Sequence, residues 1–494
     1  MKKREDFDIG KFRVFNGSNI YLNKKAFVFN IFLEPEGPEA SFYKTRIYNE
    51  FPVLKYRNPT TVIDLFSSTL IHVLRMDRKL FITDYSISEE KEDYVVAVEY
   101  FDYSITESCI QIMSEWFKCM NDGKKFNFQQ KWEKVQSDFS HTIYGDPQIY
   151  SFLEAGVKNK IPCFSLETEH LFQWGYGKKQ VRGFSFSFNT NSITDQRYLS
   201  ELTNIHEFSN HYLNIGKTKK TKFKNTYFFI LANGMVSLVI TKKNTNQKYT
   251  TIDSDEMITN FSLIENIFSN FNIAIMEVIV EADSISDEWN KNRFNIIKCN
   301  IGNEIPKERA VYYVENADLA NRFMVSRFSK PEQARIPIIA GNNISQKQAN
   351  TIWKKLKNIK PSIYFASLIN NEISINGNPI QLNENHARNV EYILRNPHLE
   401  FAVFNHQTID VTKYGYFHEG ADVFILDSTI LQEDVLKSIT RPEGILIHIT
   451  KNEINIFEKN QVCSKISFFT KEDKEKLLLS SLDPILKRLW SKYN

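Results

Sequence analysis

An apolar run that breaks into polar turn residues and resumes at once as a helical pattern limits a chain to few folds. This sequence has one such passage. Ile336-Pro337-Ile338-Ile339-Ala340 reads as a strand, Gly341 to Lys347 as a loop, and Ala349 to Leu356 as a helix. That β-loop-α order is the layout of a phosphate-binding unit. Further apolar runs at Phe401 to Phe404, Val423 to Leu426 and Ile445 to Ile449 alternate with helical segments, as the strands of a mainly parallel α/β sheet do.

The rest of the chain reads differently. Val62, Leu65, Phe66, Leu70, Val73 and Leu74 recur at helical spacing behind Pro59-Thr60-Thr61, which predicts a helix opened near Thr60 or Thr61. An apolar segment, Ala26 to Leu33, an alternating strand, Tyr94 to Tyr100, and a helix from about Ser104 to Met120 complete an α+β unit. Asn233-Gly234 between two apolar runs predicts a type I′ hairpin over Tyr227 to Lys242. Strands at Ile273 to Val280 and Phe294 to Ile297 extend that sheet, and the basic run Lys217 to Lys224 reads as a linker before it. Gln173-Trp174-Gly175-Tyr176-Gly177-Lys178-Lys179-Gln180 has two readings: a turn with a solvated tip, or a loop whose glycines admit a ligand to the backbone beside two lysines.

At roughly 150 residues per domain, 494 residues suggest about three domains. With 42% hydrophobic, 14% aromatic and 24% charged residues, the composition is that of a globular chain. A formal net charge of +3 gives no global field for nucleic acid. Cys109, Cys119, Cys163, Cys299 and Cys463 are scattered without metal-ligand or redox spacing, so reduced structural thiols are expected. No apolar stretch reaches the ~18 residues of a membrane span and no apolar run follows Met1-Lys2-Lys3-Arg4, so a cytoplasmic protein that avoids membranes is expected. His206 and His211, five apart, do not share a helical face as metal ligands would. No nucleophile elbow or Cys/His pairing supports hydrolase chemistry.

Several stretches together resemble the cyanophycin synthetases, which join an N-terminal domain, an ATP-grasp domain and a Mur-ligase-like domain. Val14 to Tyr21 is similar to that family's "GPNIWS" opening, and Leu171 to Arg182, LFQWGYGKKQVR, to its "LVQFGYGKKQRR". Asp146-Pro147-Gln148-Ile149-Tyr150 resembles the segment that leads into the ATP-grasp domain. Ala387-Arg388-Asn389-Val390 with Leu394 to Pro397 resembles "SARMVLRNP", and Arg441-Pro442-Glu443-Gly444 resembles "RPDG". The resemblance implies a mixed α/β and α+β multidomain fold: an N-terminal α+β domain over 1–160, a reduced ATP-grasp-like domain over 161–330, and a reduced Mur-ligase-like α/β domain over 331–494 that lacks the family's C-terminal lobe.

The same resemblance implies lost chemistry. After Gly216 the chain passes directly to the hairpin, without the subdomain that clamps nucleotide in an ATP-grasp enzyme. Mg²⁺ demands hard oxygen ligands, yet where the family reads "IIEVNAAPG" this chain has Lys298 in place of the carboxylate and keeps only Asn300; Glu277 stands where the family has an Asp. Ile336 to Lys347 lies on "IPIIAVTGTNGK" with Asn343 and Gln346 replacing both glycines, Gln348 replacing the metal-binding hydroxyl residue, and Lys347 retained. Asn405 replaces a Mg²⁺-associated Glu.

The expectation is therefore a catalytically inactive subunit with no catalytic residues, no metal and no cofactor. It would assemble with a full-length cyanophycin synthetase-like ligase in a hetero-oligomer and contact a cyanophycin-like polymer, through Lys178, Lys179 and Arg182 if the loop takes part. Lys298, Asn300, Asn343, Gln346, Lys347 and Asn405 would mark former sites. The alternatives are a diverged ATP-dependent amino-acid ligase that retains a partial reaction, and a stand-alone polymer-binding protein.

Overall fold

Five parallel strands form the middle of the largest sheet, in the spatial order Phe365–Ile369, Phe401–Asn405, Ile338–Gly341, Ala421–Asp427, Thr440–Ile449. Antiparallel strands extend both edges: Glu372–Ile375 and Asn378–Ile380 on one side, Glu453–Glu458 and Gln461–Ser467 on the other. Ile338–Gly341 comes first in the chain yet lies at the centre, so the connections leave it in both directions. Its C-terminal end is thus a topological switch point, where open α/β sheets bind ligands. Helix Gln346–Ile359 and the C-terminal helix Lys471–Tyr493 cover one face, burying Ile352, Leu356, Leu482 and Leu486 against Ile339, Val403, Val423 and Ile447.

The computed structural model describes residues 7–34, 37–75, 82, 84–90, 93–166, 171–213, 222–242, 249–252, 258–286, 289, 294–370, 372–380, 383–428 and 439–493. It divides into two units, residues 1–144, 176–179 and 335–494 in the first and 145–175 with 180–334 in the second. Most of the predicted basic linker, residues 217–221, lies outside the described residues.

Besides the nine-stranded sheet, the first unit holds an antiparallel sheet in the order Phe7–Phe15, Ala26–Leu33, Asp93–Glu99, Tyr85–Glu90. Helices Val62–Leu74 and Tyr103–Asn121 pack on it, the first capped by the Thr61 hydroxyl accepting from the Asp64 N–H. The stretch similar to "GPNIWS" has a packing role. Ser18 pairs with Phe417, and its carbonyl accepts from the N–H groups of Tyr416 and Phe417 at 2.9 and 3.1 Å. A Cβ on Gly17 would come within 2.7 Å of the Phe417 backbone, so glycine is required by that close approach.

The second unit carries a five-stranded antiparallel sheet in the order Thr250–Thr251, Met235–Thr241, Asn225–Ala232, Ile275–Ala282, Phe294–Ile301. Asn233 and Gly234 both take positive φ, 48° and 80°, as the two-residue hairpin requires. A small antiparallel meander, Cys163–Leu166, Leu171–Trp174, Val181–Phe184 and Ser187–Phe188, precedes it. Cys109 and Cys299 are buried, and burial pushes the Cys109 thiol up to about 12, which keeps it from acting as a nucleophile.

Candidate functional site

Glu277 is a fully buried carboxylate, and its surroundings decide whether it could hold a metal ion. It lies on Ile275–Ala282 directly opposite Asn300. Arg309, in the first turn of helix Lys307–Asn316, donates from Nε to Oε1 at 2.6 Å and from Nη2 to Oε2 at 2.8 Å. The Tyr313 hydroxyl, one helical turn further, donates to Oε1 at 2.6 Å, and Asn300 Nδ2 donates to Oε2 at 2.6 Å. Both carboxylate oxygens therefore accept two bonds each. The Arg309 guanidinium also stacks over Phe228, 4.6 Å from the ring centroid.

Burial opposes the Arg309 charge, but the hydrogen bonds and charge of Glu277 more than offset it and raise the guanidinium above its ordinary pKa; burial, then Glu277, raises the Tyr313 hydroxyl likewise. These residues do not fit Mg²⁺, which needs about six oxygen ligands in a near-octahedral set. A cation already sits on the carboxylate, and Asn300 Oδ1 is the one acceptor of the pair left without a partner among the described residues. Lys298, two residues along the strand, is exposed. Its substitution does not fill the site. Arg309 does, and no sequence signal marked it, because Lys307-Glu308-Arg309 reads as an ordinary charged helix turn.

The switch point in the first unit is filled in the same manner. Asn342 Nδ2 donates to the Asp427 carbonyl at 3.0 Å while its Oδ1 accepts from the Asp427 N–H at 2.7 Å. Asn343 Nδ2 donates to Asp427 Oδ2 at 3.1 Å, and Lys474, from the C-terminal helix, places its ammonium 2.8 Å from the same oxygen. Asn405 Oδ1 accepts from the Ile344 N–H at 2.8 Å. Ser345 caps helix Gln346–Ile359 in a reciprocal capping box with Gln348, which takes the Ser345 N–H at 2.8 Å. A phosphate cradle works by turning such backbone N–H groups toward the ligand, and here Asn405 and Gln348 hold two of them. Gln346 bonds Asn350, and Lys347 is 79% exposed and pairs with Glu475 at 3.3 Å.

The loop cations are divided between the units, Lys178 and Lys179 in the first and Arg182 in the second. Lys178 and Lys360 each donate to Glu400 Oε1 at 2.6 Å, and the Tyr364 N–H donates to Oε2 at 3.1 Å. Burial would raise the Glu400 pKa, but these bonds hold it below the usual carboxylate range. Burial, with the charge of Lys178 beside it, lowers the Lys179 pKa. Arg182 Nε bonds the side-chain oxygens of Gln180 and Gln173 at 2.8 and 3.1 Å. Gly177 has φ of +56°, and a Cβ there would meet the Leu399 carbonyl oxygen at 2.3 Å. Close backbone packing accounts for this glycine within the first unit.

A cluster that sequence spacing gave no hint of joins His386, His406 and His418, all buried. His386 Nε2 and His406 Nδ1 are 2.8 Å apart, His406 Nε2 and His418 Nε2 are 3.0 Å apart, and the Gly420 N–H donates to His418 Nδ1 at 3.1 Å. That last bond places the His418 proton on Nε2 and orders the neutral rings in one direction: His418 donates to His406, and His406 to His386. Burial pushes His418 down to about 3, with Arg441 adding to it; burial and the neighbouring rings lower His406, and burial lowers His386 against the opposing charge of Asp410.

Each ring thus titrates below the ordinary 6.5 when folded. As pH falls below that value the unfolded chain takes up protons that the folded chain refuses, so stability present above it is lost toward pH 3. Each ring contributes a slope of up to ~1.4 kcal/mol per pH unit. Urea unfolding midpoints across this range should fall accordingly, and His418→Asn should flatten the dependence; an unchanged slope would contradict the neutral assignment.

Among the described residues no helix is long and apolar enough to cross a membrane, and no group of three or more His, Cys, Asp or Glu is arranged to hold a metal ion. No family model matches the sequence, and no curated protein matches it. Among solved structures the chain is similar to a bifunctional glutathione synthetase from Pasteurella multocida, at 8% sequence identity and a TM-score of 0.27, over 56% of this chain and 78% of that one.

Proposed function

We propose that this chain is a catalytically inactive, cyanophycin synthetase-like subunit that assembles with an active synthetase and supports, stabilises or tethers the growing polymer. The reading starts from the sequence resemblance, and the observation that carries it is the state of Glu277. The carboxylate retained where the resemblance implies a metal ligand is bonded to an internal guanidinium and two further donors. The Asn405 and Gln348 bonds at the switch point agree with it, since they hold donors that a phosphate would need. A scaffold that keeps its packing while its polar ends are sealed can still offer assembly surfaces.

Polymer contact through the GYGKKQ loop belongs to the same proposal. Because Lys178 neutralises the buried Glu400, reversing its charge would disturb the fold; Lys179→Glu with Arg182→Glu tests the loop more cleanly. The deciding experiment is ATP-, primer- and amino-acid-dependent polymer formation by this chain alone, by a full-length synthetase alone, and by the two coexpressed. The subunit reading expects activity only in the mixture, or raised there. Polymer formation by this chain alone would favour a diverged ligase, and copurification with unrelated proteins only would remove the partner.

A further inference from the structure

Two largely covered arginines, with side chains 13% and 12% exposed, use the same edge of the guanidinium differently. In Arg309, Nε and Nη2 point side by side at the Glu277 carboxylate, the bidentate geometry that fits a planar anion. Arg441, at the start of strand Thr440–Ile449, uses the other nitrogen: Nη1 donates to Asp422 Oδ1 at 2.8 Å and to the Tyr493 hydroxyl at 2.7 Å. Its Nε and Nη2 are buried without a hydrogen-bond partner among the described residues, and so is the hydroxyl of the adjacent Thr440. Buried donors of this kind are costly to leave unmet and call for an explanation.

Arg441 and Thr440 line a cleft of about 220 Å³ within the first unit, together with Asn19–Asn23, Tyr416, Glu419 and Pro442. Its walls are tied down. Asn19 Oδ1 accepts from the N–H groups of Tyr21 and Leu22, its Nδ2 donates to the carbonyls of Gly17 and Lys24, and the Ser18–Phe417 bridge joins the two sides. The charges balance: Arg441 pairs with Asp422, and Arg335 with Glu419. A phosphate would bring two negative charges beside Glu419 and Asp422. A ligand of zero net charge with a carboxylate at one end and an ammonium near it suits both the unpartnered edge and the acid. The volume lies below the ~300–1,000 Å³ of ordinary small-molecule pockets, which favours a single residue over a peptide.

We infer that this cleft binds one free α-amino acid, its carboxylate bidentate on the Arg441 Nε/Nη2 edge and bonded by the Thr440 hydroxyl, its ammonium at Glu419. The site is independent of the subunit reading, since it uses neither former catalytic position. The test is calorimetric titration of the full chain with glycine and the other proteinogenic L-amino acids, and with acetate, methylammonium and inorganic phosphate. At least one amino acid should bind saturably, with acetate, methylammonium and phosphate weaker by about tenfold or more. Thr440→Val should weaken it by about tenfold while leaving the unfolding midpoint in place, Glu419→Gln should weaken it likewise with a lower midpoint because Arg335 loses its partner, and Arg441→Lys, which keeps the charge but loses the edge, should abolish it. Should Arg441→Lys fail to fold, the other two variants decide. Absence of binding by every amino acid, binding of acetate or phosphate as tight as the amino acid, or unchanged affinity in Thr440→Val and Glu419→Gln would each overturn the assignment.

Discussion

Arg309→Ala is expected to destabilise the protein by about 3–5 kcal/mol, the cost of stranding a buried carboxylate whose cation has been removed. Glu277 is fully buried and the Arg309 side chain is 13% exposed, so solvent screens the pair little. Asn300 and Tyr313 would remain as donors, but neither carries charge. The loss should be strongly non-additive. Replacing both Glu277 and Arg309 with leucine removes the charge along with its partner, and should cost less than Arg309→Ala alone. Urea unfolding of the three proteins measures this. A double variant less stable than Arg309→Ala would mean that the pair acts through packing rather than through charge compensation.

Lys474→Met is the second large effect, expected at about 2–4 kcal/mol because Asp427 is buried and loses its ammonium. The Lys474 side chain is 22% exposed against 3% for Asp427, which places the change below the Arg309 effect. Methionine keeps most of the apolar stem, so the difference reads the charge. Because Asn342 and Asn343 also bond Asp427, the same substitution should loosen the 341–345 turn, and backbone amides there should exchange faster with solvent. Unchanged stability and exchange would show that the asparagines alone hold the switch point.

The elements were legible wherever a local rule acted. Asn233-Gly234 specified its hairpin through the positive φ that both positions need, Thr61 marked its helix start by capping, and the Ile338 strand with its following helix declared a parallel sheet through β-loop-α order. Boundaries moved by a few residues, as at Ile275–Ala282 against an expected Ile273 to Val280. The partners at the sites were not legible. Arg309 reaches Glu277 from a helix 32 residues further along the chain, Lys474 reaches Asp427 across 47, and the three histidines meet from one helix and two separate loops. Each partner sits in an unremarkable local context, and only tertiary folding gives it a role. The glycines of the QWGYGKKQ stretch illustrate the reverse case. Their spacing left a ligand loop and a turn both open, and the carbonyl of Leu399 against Gly177 gives one of those glycines a packing reason.

On the proposed reading, the bonds to Glu277 and at the switch point close both places to Mg²⁺ and phosphate. Thermal unfolding in increasing Mg²⁺-ATP tests it most directly, because a ligand that binds only the folded chain stabilises it by about 2.7 kcal/mol at a hundred times its Kd. No saturable rise in the unfolding midpoint is expected for the native sequence; a saturable, Mg²⁺-dependent rise would contradict the closure of these positions.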